Sequence, residues 1–365
     1  MGATGGEDML GAIFRGRKKS LIVLAVMLVG FSGGEAMGED VEGASAERIG
    51  SGPIIYPGLH PSIGDNIQGP SLIKVPDWVD APLGRYYLYF ADHKGAYIRL
   101  AYADELAGPW QIHVPGSVQI TDSHFLTQPP AVTPEQADDI RAAFAKSGVR
   151  ILHDIIEEVT TPHIASPDVH VNAARQQIIM YYHGLEGIGH QTTRVATSVD
   201  GINFTTQPQA LGKTYWRAFD WDTYVYALAM PGQLYRSRDP FDGFEEGPLL
   251  FNPNMRHSAV LVRGDTLHVF WTQVGDMPEH IKHSTIELSA DWKDWQVEGG
   301  VEVVRPEREY EGALAPLEPS VRSTAYGVVN QLRDPAIFVE GENVYLLYAV
   351  GGEAGIALAQ IRFDS

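Results

Sequence analysis

The same order of short strands and turns recurs five times along this chain of 365 residues. The clearest unit ends at Gln360 and reads LRDPAIFVEGENVYLLYAVGGEAGIALAQ from Leu332 onward. Three apolar runs in it are separated by a Glu-Gly-Glu-Asn turn and a Gly-Gly turn, which indicates three consecutive strands. Repetition on this scale is typical of architectures in which each unit buries a face against its neighbours.

Four earlier units follow the same order, and the third of them is more degenerate. They begin at Gln68, Ala165, Tyr215 and Arg256, and three of them close on an aromatic residue, Trp110, Phe204 or Trp295. Five units of three or four strands predict an all-β fold, a five-bladed β-propeller. The last unit lacks a fourth strand, so we expect the N-terminal segment around Ile55 to pair with it, close the ring and remove a free sheet edge.

The composition agrees with one packed domain. Hydrophobic residues make up 44% of the chain, and 38 Gly with 23 Pro fit many tight turns. The formal net charge of −19 argues against nucleic acid and anionic membrane surfaces as partners. The chain has no cysteine, which excludes a disulfide and a lipid-modified N-terminal cysteine.

Residues 1–36 have the pattern of a signal peptide. Basic residues between positions 15 and 19 precede an apolar run at 21–31, and small residues follow up to Ala36, a plausible cleavage point. The alternative is an uncleaved N-terminal anchor, although the run is short for a membrane span. We therefore expect a periplasmic or secreted protein without stable membrane association after signal removal, a flexible leader at 37–52 and the propeller domain at 53–365.

Two long connections interrupt the repeats. Residues 115–161 contain Thr133, Pro134 and Gln136 at capping-box spacing, and Gly148 then ends the pattern, which predicts one short inserted helix outside the propeller. Residues 299–330 form a second connection without strand periodicity. Long loops in compact domains often form the walls or lids of functional sites.

In a propeller, the start of each innermost strand lies on the same face as the end of the second strand of that blade. Polar residues at these positions should converge on one rim, where burying them without partners would be costly. The strand starts supply Gln68, Ser166 with Asp168, Arg217 with Asp220, Arg256 with His257, and Arg333 with Asp334. The second-strand ends supply Asp92 with His93, His183 with Glu186, Gln273 with Asp276, and Glu353.

Several of these motifs together resemble the five-bladed glycoside hydrolases of families 43, 32, 117 and 130, over about residues 54–363. The motifs are Arg333-Asp334-Pro335, Ser166-Pro167-Asp168, the Ser198-Val199-Asp200-Gly201 strand ending and the Ala107-Gly108-Pro109-Trp110 closure. The resemblance implies carboxyl groups at inner-strand starts that act as base or nucleophile, acid and pKa modulator, and some members use a histidine as the acid. The first blade departs from this pattern, because Gln68-Gly69-Pro70 carries no carboxylate.

Each candidate also has a structural alternative. Asp168 is a base or a hydrogen-bond anchor, and Asp334 is catalytic or the partner of an ion pair. His257, with an ordinary pKa near 6.5, suits an acid or a base at neutral pH. Asp92 is a substitute for the missing first-blade carboxylate, and Glu186 is a proton donor if its pKa is raised. The predicted substrate-binding residues are Gln68, His93, His183, Arg217, Asp220, Arg256 and Arg333.

The thirteen histidines do not form a metal motif. His163, His170, His183 and His190 fall in one blade, but strand alternation sends neighbours to opposite faces and no His-Glu-x-x-His spacing occurs. We predict no catalytic metal and no cofactor, with room left for a structural calcium ion bound by carboxylates.

These observations favour a carbohydrate-active enzyme that takes an oligosaccharide or polysaccharide substrate. The leading hypothesis is a glycoside hydrolase with carboxylate and histidine acid–base chemistry at one rim. The alternatives are a polysaccharide lyase acting on uronate-containing glycans, which the histidines and arginines favour, and a sugar-binding propeller without catalysis, which the missing first-blade carboxylate favours.

Overall fold

The computed structural model describes residues 43–363 and confirms the predicted five-bladed β-propeller. Its strands form five antiparallel sheets of four strands each. Blade 1 contains β2 (Gln68–Lys74), β3 (Tyr86–Ala91), β4 (Arg99–Ala103) and β5 (Gln111–His113), and blade 2 contains β6 (Ile164–Asn172), β7 (Gln177–Gly187), β8 (His190–Ser198) and β9 (Thr205–Thr206).

The other three blades follow the same order from the channel outward. Blade 3 contains β10 (Arg217–Trp221), β11 (Tyr224–Ala229), β12 (Gln233–Ser237) and β13 (Glu245–Leu249), and blade 4 contains β14 (Met255–Arg263), β15 (Thr266–Gln273), β16 (Ile281–Glu287) and β17 (Glu298–Val304). Blade 5 contains β18 (Arg333–Glu340), β19 (Asn343–Ala349), β20 (Ile356–Phe363) and, as its outer strand, β1 (Ala44–Ile49).

The hydrophobic core lies between the blades. Each pair of neighbouring blades shares one apolar cluster, as Tyr89 of blade 1 and Met180 of blade 2 do. A middle strand therefore packs on both faces, and every residue of β3 is buried. This two-sided burial explains why the middle strands are nearly continuous apolar runs in the sequence.

The N-terminal strand closes the ring, as predicted, but it is an earlier segment than expected. Strand β1 pairs antiparallel with β20, from Ala44 opposite Phe363 to Ile49 opposite Leu358. Ile55, which the sequence analysis proposed for this role, forms only an isolated bridge with Ile356. Residues 44–49 were therefore wrongly included in the flexible leader, because an outer strand paired on one side needs little apolar sequence.

A second difference concerns residues 299–330. The first part of this connection belongs to β17, whose residues are mostly exposed, so the chain showed no strand periodicity there. The predicted helix is confirmed as α1 (Pro134–Ser147), with the Thr133–Gln136 capping box formed and Gly148 at a φ of 71°. A short second helix, α2 (Ile155–Thr160), packs against α1 and was not expected.

The predicted signal peptide lies outside the described residues. Within residues 43–363, no helix is long and apolar enough to cross a membrane.

Candidate functional site

The inner strands begin with a backbone irregularity that brings residues of different blades together. In blades 1, 2, 4 and 5 the pairing register shifts at the start of the inner strand. Gly69, Ser166 and Asp334 have positive φ angles of 63°, 48° and 46° there, and Tyr215, just before β10, has 57°. Residues other than glycine are held in this conformation only at an energetic cost, and such strain is concentrated at functional sites.

These irregular positions meet around the channel. A Cβ on Gly69 would lie 2.9 Å from the Cα of Ser166. The ring of Tyr215 lies 4.6 Å from the ring of His257, and Nδ1 of His257 lies 2.9 Å from Oδ1 of Asp334. The prediction that strand starts converge on one rim therefore describes the structure, although Tyr215 was not among the predicted site residues.

We call His183, Tyr215, His257 and Asp334 the rim cluster. Tyr215 lies between the two imidazoles, with its ring centroid 4.3 Å from His183 and 4.6 Å from His257. All four residues are at least nine-tenths buried. Tyr215, directly before Trp216, occupies the repeat position in blade 3 that Asp334, directly before Pro335, occupies in blade 5. This shared position is the sequence signal that could have identified Tyr215 as a site residue.

The rim cluster favours neutral imidazoles. Burial lowers the pKa of His257 from its ordinary value of 6.5, and the nearby Asp334 opposes that shift only in part. Burial, with His163 and His93 nearby, lowers the pKa of His183 much further. Within the described chain, Nδ1 of His183, Nδ1 of His257 and Oδ2 of Asp334 form no hydrogen bond of normal geometry, so the 2.9 Å approach of His257 to Asp334 is a close polar contact. A neutral imidazole beside a carboxylate is a competent proton acceptor at neutral pH.

A second buried network lies beside the cluster and is centred on Glu353. Its carboxylate accepts hydrogen bonds from Nη1 of Arg333 at 2.7 Å and Nδ2 of Asn66 at 2.7 Å, and Nδ1 of His93 lies 3.3 Å away. Burial alone would raise the pKa of Glu353, but His93 and Arg333 hold it well below its ordinary value. Glu353 is thus a charged partner in a network rather than a ready proton donor.

The other predicted rim residues are also engaged. Arg256 pairs with Glu279 at 3.1 Å, and burial together with Arg333 lowers the pKa of Arg256 to about 10. Gln68 is buried, and its Oε1 accepts a hydrogen bond of 3.3 Å from Ser166. Glu279 reaches this network from the loop before β16 and was missed, because it does not lie at a strand start.

Asp168 belongs to a different network. Its Oδ2 accepts hydrogen bonds from the backbone N–H of Ala218 and from His170, both at 2.7 Å, and Arg217 lies 3.4 Å from its Oδ1. Arg217 in turn donates to the carbonyl of Ser258 at 2.8 Å. Asp168 and Arg217 therefore tie blades 2, 3 and 4 together across the channel, which is the anchor alternative of the sequence analysis.

Three further candidates lie apart from the rim cluster. Asp92 pairs with Arg99 and caps its own loop at the N–H of Lys94. Glu186 is bound by Arg194. Asp220, expected at a strand start, is exposed near the opposite end of β10, because this strand has only five residues and turns back at Tyr224. No cluster of three or more metal-ligating side chains occurs within residues 43–363.

Comparison with known proteins gives one relative by sequence. No family model matches the chain. "Uncharacterized protein R118" of Acanthamoeba polyphaga mimivirus is 34% identical over 322 residues, which cover 81% of this chain and 83% of that protein.

Solved structures show the fold. An endo-1,4-beta-xylanase from Bacteroides thetaiotaomicron superposes with a TM-score of 0.52 at 11% identity, covering 86% of this chain and 96% of the other. The GH43_1 enzyme from Xanthomonas citri complexed with xylotriose gives 0.50 at 11% identity, over 85% and 88%. An exo-beta-1,3-galactanase from Phanerochaete chrysosporium gives 0.51 at 10% identity, and the chain spans only 64% of its length. The predicted resemblance to family 43 glycoside hydrolases is thus confirmed for the fold.

Proposed function

The chain belongs to the same protein family as the uncharacterized mimivirus protein, and we propose that it is a glycoside hydrolase-like enzyme whose acid–base centre is His257 with Asp334. The observation that carries this proposal is the contact of 2.9 Å between Nδ1 of His257 and Oδ1 of Asp334, inside a ring of strained strand starts. A buried carboxylate in this position orients the imidazole and stabilises the imidazolium that forms during catalysis.

The proposal departs from two-carboxylate chemistry. Hydrolases of that kind need two carboxyl groups on either side of the scissile bond. Here the irregular positions of blades 1, 2 and 3 carry Gly69, Ser166 and Tyr215, and Glu353 is neutralised by Arg333. We therefore assign the base to a side chain other than a carboxylate.

In the reaction we propose, neutral His257 takes a proton from a water molecule that attacks the anomeric carbon. Asp334 stabilises the resulting imidazolium. Tyr215, in ring contact with His257 and His183, donates the proton that the departing sugar oxygen needs. The substrate is a neutral oligosaccharide, a class supported by the shared fold with proteins solved in complex with xylotriose and galactotriose. Export to the periplasm or the medium, proposed from the N-terminal sequence, would place the enzyme where such glycans occur.

A polysaccharide lyase is the second candidate, and the position of Tyr215 favours it. A phenol in contact with two neutral imidazoles supplies the acid and base of a β-elimination. Such an enzyme must also neutralise a uronate carboxylate. The rim arginines are already used, since Arg333 binds Glu353 and Gln331, and Arg256 binds Glu279. This engagement ranks the hydrolase first.

The test is an incubation of the purified chain with neutral and uronate-containing oligosaccharides, including xylotriose and β-1,3-galactotriose. Reducing ends and ultraviolet absorbance are read together. We expect reducing sugar without new absorbance, because only a lyase creates an unsaturated product. His257→Ala and Asp334→Asn should lower kcat by about 100-fold or more, while the control His113→Ala on outer strand β5 should not. New ultraviolet absorbance would contradict the hydrolase and support the lyase. No change in either readout would favour a sugar-binding propeller.

A further inference from the structure

The two long connections of the propeller enclose a cavity beside the rim. One wall comes from residues 150–153, which precede α2, and the other from residues 316–330, which precede β18. The cavity has a volume of about 650 Å³, within the range of about 300–1,000 Å³ typical of ligand sites. We call it the loop cavity.

An aromatic side chain is held at the mouth of the loop cavity. Tyr326 is 66% exposed, yet its ring is fixed by an edge contact of 4.9 Å with His153. Nε2 of His153 lies 3.3 Å from Oγ of Ser323, so the same histidine also joins the two connections. An exposed aromatic ring in a fixed position offers a flat apolar surface, which suits the C–H face of a sugar ring.

A buried acceptor without a partner lies in the wall. Asn330 is 9% exposed, and its Nδ2 donates to the carbonyl of Ala315 at 3.3 Å. Its Oδ1, by contrast, has no hydrogen-bond partner within residues 43–363. A buried acceptor of this kind costs free energy, and because Oδ1 itself is shielded from the cavity, Asn330 shapes the wall and does not contact a ligand.

The loop cavity is directly next to the proposed catalytic centre. Arg333 lines the cavity, and the following residue, Asp334, contacts His257. Ala325 also lines the cavity, and its carbonyl accepts a long hydrogen bond from Asn66, the residue that binds Glu353 in the rim network. A sugar chain that reaches the rim cluster can therefore extend into this cavity.

The charges of the wall favour a neutral sugar. Arg333 already donates to Gln331, Ser323 and Glu353, so its charge is compensated. The exposed edge of the cavity carries both a cation, Arg150, and an anion, Glu318. A uronate in this position would lack a dedicated cationic partner.

We propose that the loop cavity is a sugar-binding subsite, in which Tyr326 stacks on a neutral sugar ring. The bound sugar belongs to the same oligosaccharide that is cut at the rim cluster, a placement that rests on the proposed function. The subsite itself predicts binding that depends on oligosaccharide length, whether or not cleavage occurs.

The test measures binding without turnover. The full chain carrying His257→Ala is titrated calorimetrically with xylose, xylotriose and β-1,3-galactotriose. We expect at least one trisaccharide to bind about tenfold more tightly than the monosaccharide. Tyr326→Ala should remove that gain, and Tyr326→Phe should keep it. Tyr56→Ala, which removes a partly exposed tyrosine outside the loop cavity, is the matched control and should change nothing.

The outcomes separate the subsite from the catalytic proposal. Failure of both trisaccharides to bind, or trisaccharide affinity unchanged in Tyr326→Ala, overturns the subsite. Cleavage by the wild-type chain with an unaltered KM in Tyr326→Ala overturns the subsite and leaves the catalytic proposal standing. If trisaccharide binding requires Tyr326 but the wild-type chain cleaves nothing in the panel, the subsite stands and the catalytic proposal is overturned.

Discussion

Closure of the propeller ring depends on Glu311, a fully buried carboxylate outside the rim cluster. Its oxygens accept hydrogen bonds from Nε of Arg48 at 2.7 Å and Nη2 of Arg48 at 3.0 Å, and from the hydroxyl of Tyr348 at 3.1 Å. Arg48 lies on the closing strand β1, and Tyr348 lies on β19 of the same blade. Glu311 therefore fastens the N-terminal strand to the last blade from the side.

Replacing Glu311 with glutamine keeps the shape of the side chain and removes its charge. Breaking one partner out of a buried pair costs about 3–5 kcal/mol. The side chain of Arg48 is 15% exposed, so water can compensate part of the lost interaction energy. We expect Glu311→Gln to lower the free energy of unfolding by about 3 kcal/mol at pH 7.

The effect should depend on pH in a defined direction. Burial would raise the pKa of Glu311, but the hydrogen bonds from Arg48 and the backbone hold it below its ordinary 4.5. A carboxylate whose folded pKa is lowered stabilises the protein above its unfolded pKa and loses that contribution as pH falls through the folded value. The difference in the free energy of unfolding between wild type and Glu311→Gln should thus have its full size above pH 4.5 and become smaller below that pH.

The assay is urea denaturation followed by tryptophan fluorescence, with hydrogen exchange of the amides in β1 and β20 as a local readout. Glu47→Gln is the matched control, because it breaks an exposed pair with Arg362 across the same two strands. Exposed pairs contribute little, so this control should change stability only slightly. Equal denaturation midpoints for Glu311→Gln and Glu47→Gln at pH 7 would refute the assigned role of Glu311.

Two further predictions concern the channel. Burial lowers the pKa of His257 from 6.5, so the acidic limb of the pH profile of kcat/KM should lie below pH 6.5, with activity lost as the pH falls. An acidic limb at or above pH 6.5 would contradict a buried His257 base. Asp168→Asn should reduce the free energy of unfolding, because Asp168 anchors Ala218 and Arg217, and the kcat of the folded molecules should stay near the wild-type value. Wild-type stability combined with lost turnover would restore Asp168 as a catalytic candidate.

The fold was predictable because repetition is a strong signal. Each blade needs an apolar middle strand that packs on both faces, as β3 and β19 do, and such runs are visible in the sequence. The outer strands were less visible. Strand β1 reads Ala-Ser-Ala-Glu-Arg-Ile and β17 is largely exposed, so neither carries a clear alternation of apolar and polar residues.

The candidate site was predictable only in part. Topology alone placed His183, His257, Asp334 and Arg333 on one rim, because inner-strand starts and second-strand ends share a face. The direction in which each of these side chains points could not be predicted from the sequence. In blade 2 Ser166 takes the positive-φ position that Asp334 has in blade 5, and Asp168 lies two residues further along the strand, opposite Tyr181.

Tyr215 and the loop cavity show a second limit of the sequence. The repeat position that Tyr215 shares with Asp334 marks it as a strand-start residue, but its importance follows from ring contacts with His183 and His257 that only the folded chain creates. Tyr326 and His153 are far apart in the chain and meet only because both long connections fold over the same side of the propeller.

The role of His257 as proton acceptor can be measured through the rate of His257→Ala with and without added imidazole. On the oligosaccharide that the wild type cleaves, we expect a fall in kcat of about 100-fold or more and a partial recovery as free imidazole occupies the vacated position. A kcat within about twofold of wild type in the absence of imidazole would contradict it.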